Sequence, residues 1–469
     1  MPKLSFGYLF IFFFIIHHLY IEAQSETNNW FFGIYAGINF SSGEPEVLSS
    51  GQIDSWEGVT AISSSTGDLL FYTDGINVFD RNHDLMPSGT GLLGDPSSTQ
   101  SALIIPLPEN PDIYFILTMD DIDHAGGLNG LKYSKVDMSL NNGFGDIVAN
   151  EKNVTLELKM SEKLTAAKHA NGIDVWIISQ KWGTNKFYSF KLTSDGIEED
   201  AIISSSGFII GGEGADIDMA KGYMKVSPDG TKLAKANAGL KSIEIFNFND
   251  STGMVSNGII DIYLDCEPYG IEFSPNSNFL YVNSWKNNPS RILYQYDLQA
   301  DNIIESRVII ASGLNGALQL SPDLRIYIAQ AQTPYLGRIN KPNSLGSDCD
   351  VELYAVDLED GTCHWGLPNF MPFEPDTTVN IKPIEVPKIS VLSIFPNPVN
   401  DKFTVSIVKG KSSEILIYND IGILVERVLI KRRSQKIIDV TNWVSGLYIA
   451  VVMENGKQIG CKKLIVQNN

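Results

Sequence analysis

Hydrophobic and polar positions alternate in short runs that end in turn residues over most of the chain. The clearest run is Met224-Lys225-Val226-Ser227-Pro228-Asp229-Gly230-Thr231-Lys232-Leu233-Ala234. Alternation at a period of two is the pattern of a strand with one buried face. Pro228 presets φ for the first central turn position, and Asp229 and Gly230 tolerate those that follow. The pattern recurs as Ile271-Glu272-Phe273-Ser274-Pro275-Asn276 and as Leu318-Gln319-Leu320-Ser321-Pro322-Asp323. Pro228, Pro275 and Pro322 are spaced by 47 residues each time. A second strand returns after each turn (Phe279 to Asn283, Arg325 to Ala329), and a third follows in the first two units (Ile243 to Phe248, Ile292 to Asp297). Such a meander cannot cover both of its own faces, and stacking copies around an axis covers them. A fixed period in the range of about 40–50 residues is that of a propeller blade.

Three diverged copies precede these. Val59 to Ser63 pairs with Leu69 to Thr73 across a turn at 65–67, and Leu103 to Ile105 with Ile113 to Leu117 across Pro108-Glu109-Asn110-Pro111. Leu164 to Ala167 pairs with Val175 to Ile178 across Ala170-Asn171-Gly172. Trp30-Phe31-Phe32-Gly33 and Gly37-Ile38-Asn39-Phe40 read as two outer strands, and Gly366-Leu367-Pro368-Asn369-Phe370 as an inner strand that completes them. That composite closes the ring and removes open edges. The prediction is an all-β chain with a β-propeller of seven blades, since roughly 350 residues at this period give about seven. A generic all-β sandwich with proline turns is the competing architecture, and the even spacing favours the propeller.

Four segments follow. Residues 1–23 have the form of a secretory signal peptide: Lys3, an apolar core from Leu4 to Ile16, and a small residue at Ala23, leaving Gln24 as the mature start. An uncleaved anchor is the alternative. No other long apolar run exists, so the mature chain is expected to lack a transmembrane span. Residues 25–371 are the propeller, 372–389 an extended linker with Pro372, Pro375, Pro383 and Pro387, and 390–469 a compact β domain of short strands.

Charge refines the picture. The chain carries −20, but residues from 390 onward hold 11 Lys and Arg against 6 Asp and Glu. A tail of +5 leaves −25 on the remainder. An acidic body argues against nucleic acid as a partner. Export permits disulfides. Cys349 and Cys363 flank a predicted strand at Leu353 to Val356, and a disulfide between them is expected to staple the end of the last full blade to the composite blade, with two unpaired thiols as the alternative. Cys266 and Cys461 are expected to stay unpaired.

The tail carries a resemblance. Phe395-Pro396-Asn397-Pro398 with Asn400 opens it, followed by Ile417-Tyr418-Asn419 and Gly422. Gly446-Leu447-Tyr448, Val451-Val452, Gly456 and Lys463-Leu464-Ile465-Val466 complete it. In this order they resemble the type A C-terminal sorting domain of the type IX secretion system of Bacteroidetes. The resemblance implies handling by that translocon and its sorting machinery, with the body delivered to the outer-membrane surface or the medium. The body also resembles exported Bacteroidetes propeller-like proteins, on Trp30 to Gly33, Glu57-Gly58, Leu70 to Gly75, Ser97 to Gln100 and Gly366 to Phe370. Some of those are associated loosely with gliding motility or adhesion, which assigns no role to a residue.

Catalytic motifs are absent. The chain has no Gly-x-Ser-x-Gly elbow and no His-Glu-x-x-His, so no catalytic residue, metal or cofactor is assigned. Asp121 to Gly126 begins like a calcium loop but has Ala125 at its fifth position and Lys132 at its twelfth. Gly211 to Asp218 reads either as a plain glycine-rich connection or as a mouth loop offering carboxylates. His169, Trp176 and Trp182 form a speculative pocket in which aromatic rings stack on a sugar, against the plainer reading of a blade-core tryptophan and a turn-capping histidine. The expected function is a non-enzymatic surface binding or adhesion module for an unknown glycan or protein. An exported enzyme acting on polysaccharide or peptide is the alternative, and a cluster of titrating carboxylates at the axial mouth would favour it.

Overall fold

The computed structural model describes residues 25–261, 264, 266–285, 291–373, 392–407, 413–419, 424–430, 435–454 and 457–467. The leader, most of the 372–389 linker, Gly422 and Gly456 lie outside the described residues. The chain divides into two units, 1–376 and 377–469.

In the first unit seven antiparallel sheets succeed one another among the described residues. The first has three strands, Asn29–Phe32, Ala36–Asn39 and Glu46–Leu48. The others lead with Thr60–Ser63, Ala102–Leu107, Met160–Lys168, Met224–Val226, Pro268–Phe273 and Leu318–Leu320, each continued by three or four further strands. The sheets therefore begin where the alternating runs and turns predicted. Consecutive leading strands pack side by side from Asn29–Phe32 through to Leu318–Leu320. The seventh sheet returns to the first: Tyr327 edges onto Trp30 and Phe40 at 5.8 and 5.3 Å, and Arg325 pairs with Glu44 at 2.7 Å. Adjacent sheets bury their faces against each other, as Leu103 and Leu117 do against Leu164 and Ile177. This is a β-propeller.

The 47-residue period is visible atom by atom. Ser227, Ser274 and Ser321 each place a hydroxyl on the side chain two residues on, at Asp229 (2.6 Å), Asn276 (2.7 Å) and Asp323. Gly230, Ser277 and Leu324 each donate a backbone N–H to that serine's carbonyl at 2.8–2.9 Å, with φ of 70°, 59° and 63°. Pro228, Pro275 and Pro322 hold the same turn position in all three.

Ring closure differs from expectation. Asn29–Phe32 is buried throughout, as befits a leading strand rather than an outer one. The chain ends meet instead at Ile34 and Thr362, which exchange backbone hydrogen bonds of 2.9 and 3.0 Å. Residues 366–370 run inside the ring, with Pro368 bridging in parallel to Val59. There Asn369, fully buried, donates to the carbonyls of Ala102 (3.3 Å) and Leu164 (3.0 Å) and accepts from Gln100 (3.2 Å). Gln100 in turn accepts from the N–H groups of Met224 and Leu164. Two amide side chains thus satisfy backbone groups of inner strands that would otherwise be unpaired in the channel. On the turn side of that plug, Phe370, Met371, Pro372 and Phe373 cover Lys225, Glu272 and Gln319.

The proposed staple is absent. Cys349 and Cys363 are both free and buried. They belong to different cores: Cys349 packs with Leu318 and Ile339, and Cys363 with the cluster that contains Trp30 and Leu367. Cys266 is also buried.

Among its described residues the second unit has two sheets. Leu392–Phe395, Lys402–Ile407 and Gln435–Asp439 form one, and Leu424–Ile430, Ser413–Asn419, Gly446–Glu454 and Lys457–Val466 the other. Phe403, Val405 and Ile438 of the first share a core with Ile415, Val428, Val452 and Leu464 of the second, which makes a small sandwich.

Candidate functional site

Charged and aromatic side chains converge at the end of the ring where the inner strands begin. Glu57 arrives just before Thr60–Ser63. Its segment is threaded between neighbours without room for a side chain: a Cβ on Gly58 would lie 2.0 Å from the Ser101 nitrogen, and one on Gly366 would lie 1.9 Å from the Glu57 carbonyl. Met160–Lys168 carries a bulge, since its pairing with Val175–Lys181 slips between Met160 and Leu164. The extra residues re-aim Glu162 and Lys163 into the interior. A second bulge between Pro268 and Ile271 does the same for Tyr269.

Glu57 and Glu162 are almost wholly buried. Glu162 Oε2 accepts from the backbone N–H (3.1 Å) and hydroxyl (2.9 Å) of Thr99. Its Oε1, and Oε2 of Glu57, have no hydrogen-bond partner. Burial pushes the Glu57 carboxyl well above the carboxylate range, with Glu162 adding to the effect. Burial and Asp121 push Glu162 up to about 7. The Tyr269 phenol adjoins Glu57 and Thr99, and burial pushes it upward too. Lys221 is the counter-charge. It pairs with Asp218 at 3.0 Å and Asp123 at 3.3 Å, and its ammonium lies 4.8 Å from the Trp285 ring centre. Trp285 stacks with Tyr269 at 6.1 Å and meets Trp365 edge-on at 6.4 Å. At the rim Trp56, half exposed, lies 4.3 Å from His364.

Lys163 explains why Lys221 points where it does. Its fully buried ammonium donates to the carbonyls of Ala220, Lys221, Gly222 and Ala236 at 2.8–3.1 Å. Burial drives its pKa well down. It is a positioning residue that ties the segment carrying Lys221 to the ring.

The structure divides the pocket suggested by sequence. His169 and Trp176 are neighbours at 5.5 Å. Trp176 is buried and donates its indole N–H to the Asp250 carbonyl, and the His169 ring accepts from the Asn171 N–H. Trp182 follows the far end of strand Val175–Lys181 and covers Gly211. His169 lines a cavity of about 310 Å³ at the turn side with Lys168, Asp229, Gly230 and Asp250. The Asp121 to Gly126 stretch forms a helical turn capped by Asp121, and Asp218 of the glycine-rich loop reaches the mouth. Sequence reasoning quotes Glu57 only within a resemblance, with no role, and passes over Glu162, Lys221 and Tyr269. The adjacent Glu162-Lys163 inside an apolar strand was the signal available, because charged groups are buried there only with partners.

In the second unit Asn397 works as a clasp. Its amide donates to the Lys463 carbonyl (2.7 Å) and accepts from the Ile465 N–H (2.8 Å), pinning the last strand as a neighbouring strand would. Phe395 is exposed beside it, and Pro396 and Pro398 flank the clasp. Tyr448, two residues after Gly446, donates to the Val444 carbonyl and packs on Trp443. Residues 393–467 match the family described as secretion system C-terminal sorting domain. The tail is a type IX sorting domain. That sorting domain directs the chain to the cell surface or the medium and implies handling by the secretion machinery. No helix among the described residues is long and apolar enough to cross a membrane.

A curated relative, ulvan lyase NLR42 of Nonlabens ulvanivorans, is 31% identical over 83 residues, which is 18% of this chain and 16% of that enzyme. The chain therefore matches only a small part of that relative's length. Among solved structures, a putative 6-phosphogluconolactonase from Bacteroides fragilis superposes with a TM-score of 0.37 at 13% identity, covering 81% of this chain and 97% of that one. The β-propeller domain of Myceliophteria thermophila Cps50 (Swd1) gives 0.37 at 10% identity, covering 65% and 94%. Hsv2p of Kluyveromyces lactis gives 0.38 at 10% identity, covering 68% and 90%. Likeness at this level assigns no activity.

Proposed function

We propose that this chain is an exported surface or secreted adhesion module whose propeller binds a carbohydrate at its axial mouth. In this reading residues 1–23 are removed at the inner membrane and the sorting domain is the address for the outer one. The observation that carries the binding role is the aromatic set of half-exposed Trp56 with Trp285, Trp365 and Tyr269, whose phenol adjoins the buried Glu57 carboxyl. Aromatic faces suit the apolar face of a sugar ring. The acidic body disfavours nucleic acid.

A second reading, glycan cleavage, rests on the two neighbouring carboxyls; an acid–base pair needs one protonated and one ionised, whereas burial raises both here. Binding is preferred because Asn369 and Gln100 close the channel beneath the pair, leaving a blind mouth rather than a cleft along which a polymer could run.

The test is a glycan array with the mature protein recovered from host surface or medium, followed by Trp fluorescence titration of the hits. Saturable binding weakened about tenfold by Trp56→Ala supports the module. New reducing ends after incubation would move the assignment to the enzyme, and no binding to any glycan class would remove it.

A further inference from the structure

We propose that the turn side of the ring, opposite the axial mouth, carries a second binding site: the cavity between the fourth and fifth sheets takes a single neutral sugar ring. This site goes beyond the mouth and does not rest on it. The cavity, about 310 Å³ and bordered by Lys168, His169, Asp229, Gly230 and Asp250, arises from a departure from the repeat. His169 stands where the serine of the later turns stands. Its N–H reaches the carbonyl five residues on, and its own carbonyl receives the N–H three residues on, as at Ser227 and Ser274. In those later turns a side chain of the next sheet crosses to the residue two places on. Ser277 accepts from the Asp229 N–H and Asn343 from the Asn276 N–H, each at 3.1 Å. In the fourth sheet the matching Asn171 N–H is answered inside its own turn, by His169 Nδ1 at 3.0 Å. The space between the fourth and fifth turns stays open.

Its walls are fixed. The Asp250 carbonyl accepts from the Trp176 indole (2.6 Å) and the Ala170 N–H (3.3 Å), which ties the loop after Ser242–Asn249 to the fourth sheet. The Asp250 carboxylate is thereby held over Gly230, where a Cβ would lie 3.8 Å from it. Asp229 is held by Ser227 and Thr231 through Oδ1, which leaves Oδ2 without a hydrogen bond among the described residues. Because His169 Nδ1 accepts, the proton of its neutral ring sits on Nε2, which is a donor.

The lining therefore mixes acceptors, on Asp229 and Asp250, with donors, on Lys168 and His169. A hydroxyl is both donor and acceptor and suits such a set. Two carboxylates against one ammonium disfavour a uronate or a sulfated sugar, and the ammonium disfavours an amino sugar. Ala167, Val226, Pro228 and Pro372 supply an apolar wall for the C–H face of a pyranose. The volume lies at the low end of the range of small-molecule pockets, about 300–1,000 Å³, and suits one ring rather than a chain.

The experiment is saturation-transfer NMR on the full mature protein with the methyl glycosides of glucose, galactose and mannose, set against methyl glucuronide and glucosamine. The Trp56→Ala protein is measured beside the parent, so that sugar held at the mouth is told apart. The expected result is saturable binding of at least one neutral glycoside to both proteins, about tenfold tighter than the glucuronide or glucosamine. Asp250→Asn keeps the carbonyl that Trp176 anchors, and in the Trp56→Ala background it should weaken that binding about tenfold. Ala170→Trp, at an exposed position of the lining, should block it, and this keeps the test decisive if the asparagine variant does not fold. Binding that Trp56→Ala removes, or that neither turn-side variant moves, overturns the second site and leaves the mouth standing. Preference for the glucuronide or glucosamine overturns the neutral-sugar assignment. No glycoside bound by the Trp56→Ala protein overturns the site, whatever the parent binds on the glycan array.

Discussion

Lys225 and Glu272 occupy the same place in consecutive repeats, 47 residues apart, and their side chains meet at 3.4 Å with almost no exposure. The next equivalent, Gln319, accepts from the same Lys225 ammonium at 2.5 Å. Three copies of one strand position have diverged into a cation, an anion and an amide that satisfy each other at the axis. Glu272 also accepts from the Leu320 N–H, so the group ties the fifth, sixth and seventh sheets together.

Removing one partner leaves the other charge buried and uncompensated. Glu272→Gln or Lys225→Met alone is expected to destabilise the propeller by about 3–5 kcal/mol. The double variant should recover a large share of that loss, read as a coupling energy in urea unfolding. Additive losses would show that the two residues do not act as a pair.

The amide plug has a different signature. Asn369→Ala deprives the Ala102 and Leu164 carbonyls and the Gln100 amide of their partner. A cost of about 2–4 kcal/mol is expected from the buried groups left unsatisfied. Proteolysis should become faster near both chain ends, because residues 362–370 help to join them. A loss of stability without that local opening would place the plug outside the closure.

Much of this is legible in the sequence. The three proline turns gave the repeat, because a turn with Ser, Pro and Asp at fixed offsets has few other solutions. The tail was legible in full order, from Phe395 to Val466. The mouth was not. Glu57, Glu162, Lys221 and Tyr269 come from four segments scattered over more than 200 positions, and two of them face inward only because a bulge breaks the alternation that sequence reading relies on. Closure was misassigned because buried Asn29–Phe32 and the plug around Asn369 both look like inner-strand material, and alternation does not say which lies nearer the axis.

Glu162 makes stability depend on pH in a direction opposite to most carboxylates. Its pKa rises on folding from the usual value of about 4.3 to about 7. The folded state therefore holds the proton more tightly, and the contribution is fully present below the unfolded value and lost as pH rises through about 7. Glu162→Gln should become progressively more stable relative to the parent between these limits, as followed by melting temperature at matched ionic strength. A difference that does not change with pH would show that Glu162 is already ionised in the fold.

Asn397 allows the sorting domain to be tested apart from the propeller. Asn397→Ala removes both hydrogen bonds to the last strand while Phe395 stays exposed. A loss of about 1–2 kcal/mol is expected, with faster amide exchange confined to Lys457–Val466. Less protein should reach the surface and more should remain in the periplasm. Normal export with a frayed strand would mean that the machinery reads side chains rather than the folded sandwich.

The repeat also contains its own strain control. Gly230, Ser277 and Leu324 share one left-handed turn position, which costs a non-glycine residue about 1–2 kcal/mol. Leu324 is partly exposed, so little burial is lost when its side chain is removed. Leu324→Gly is expected to gain about 0.5–1 kcal/mol, the relief of strain less the greater freedom glycine confers on the unfolded chain. Gly230→Leu, with its Cβ direction nearly open, should lose about 1–2 kcal/mol through backbone strain rather than collision. Urea unfolding of the two variants reads both signs. If they shift stability the same way, the turns are not equivalent and the 47-residue register does not extend to backbone conformation.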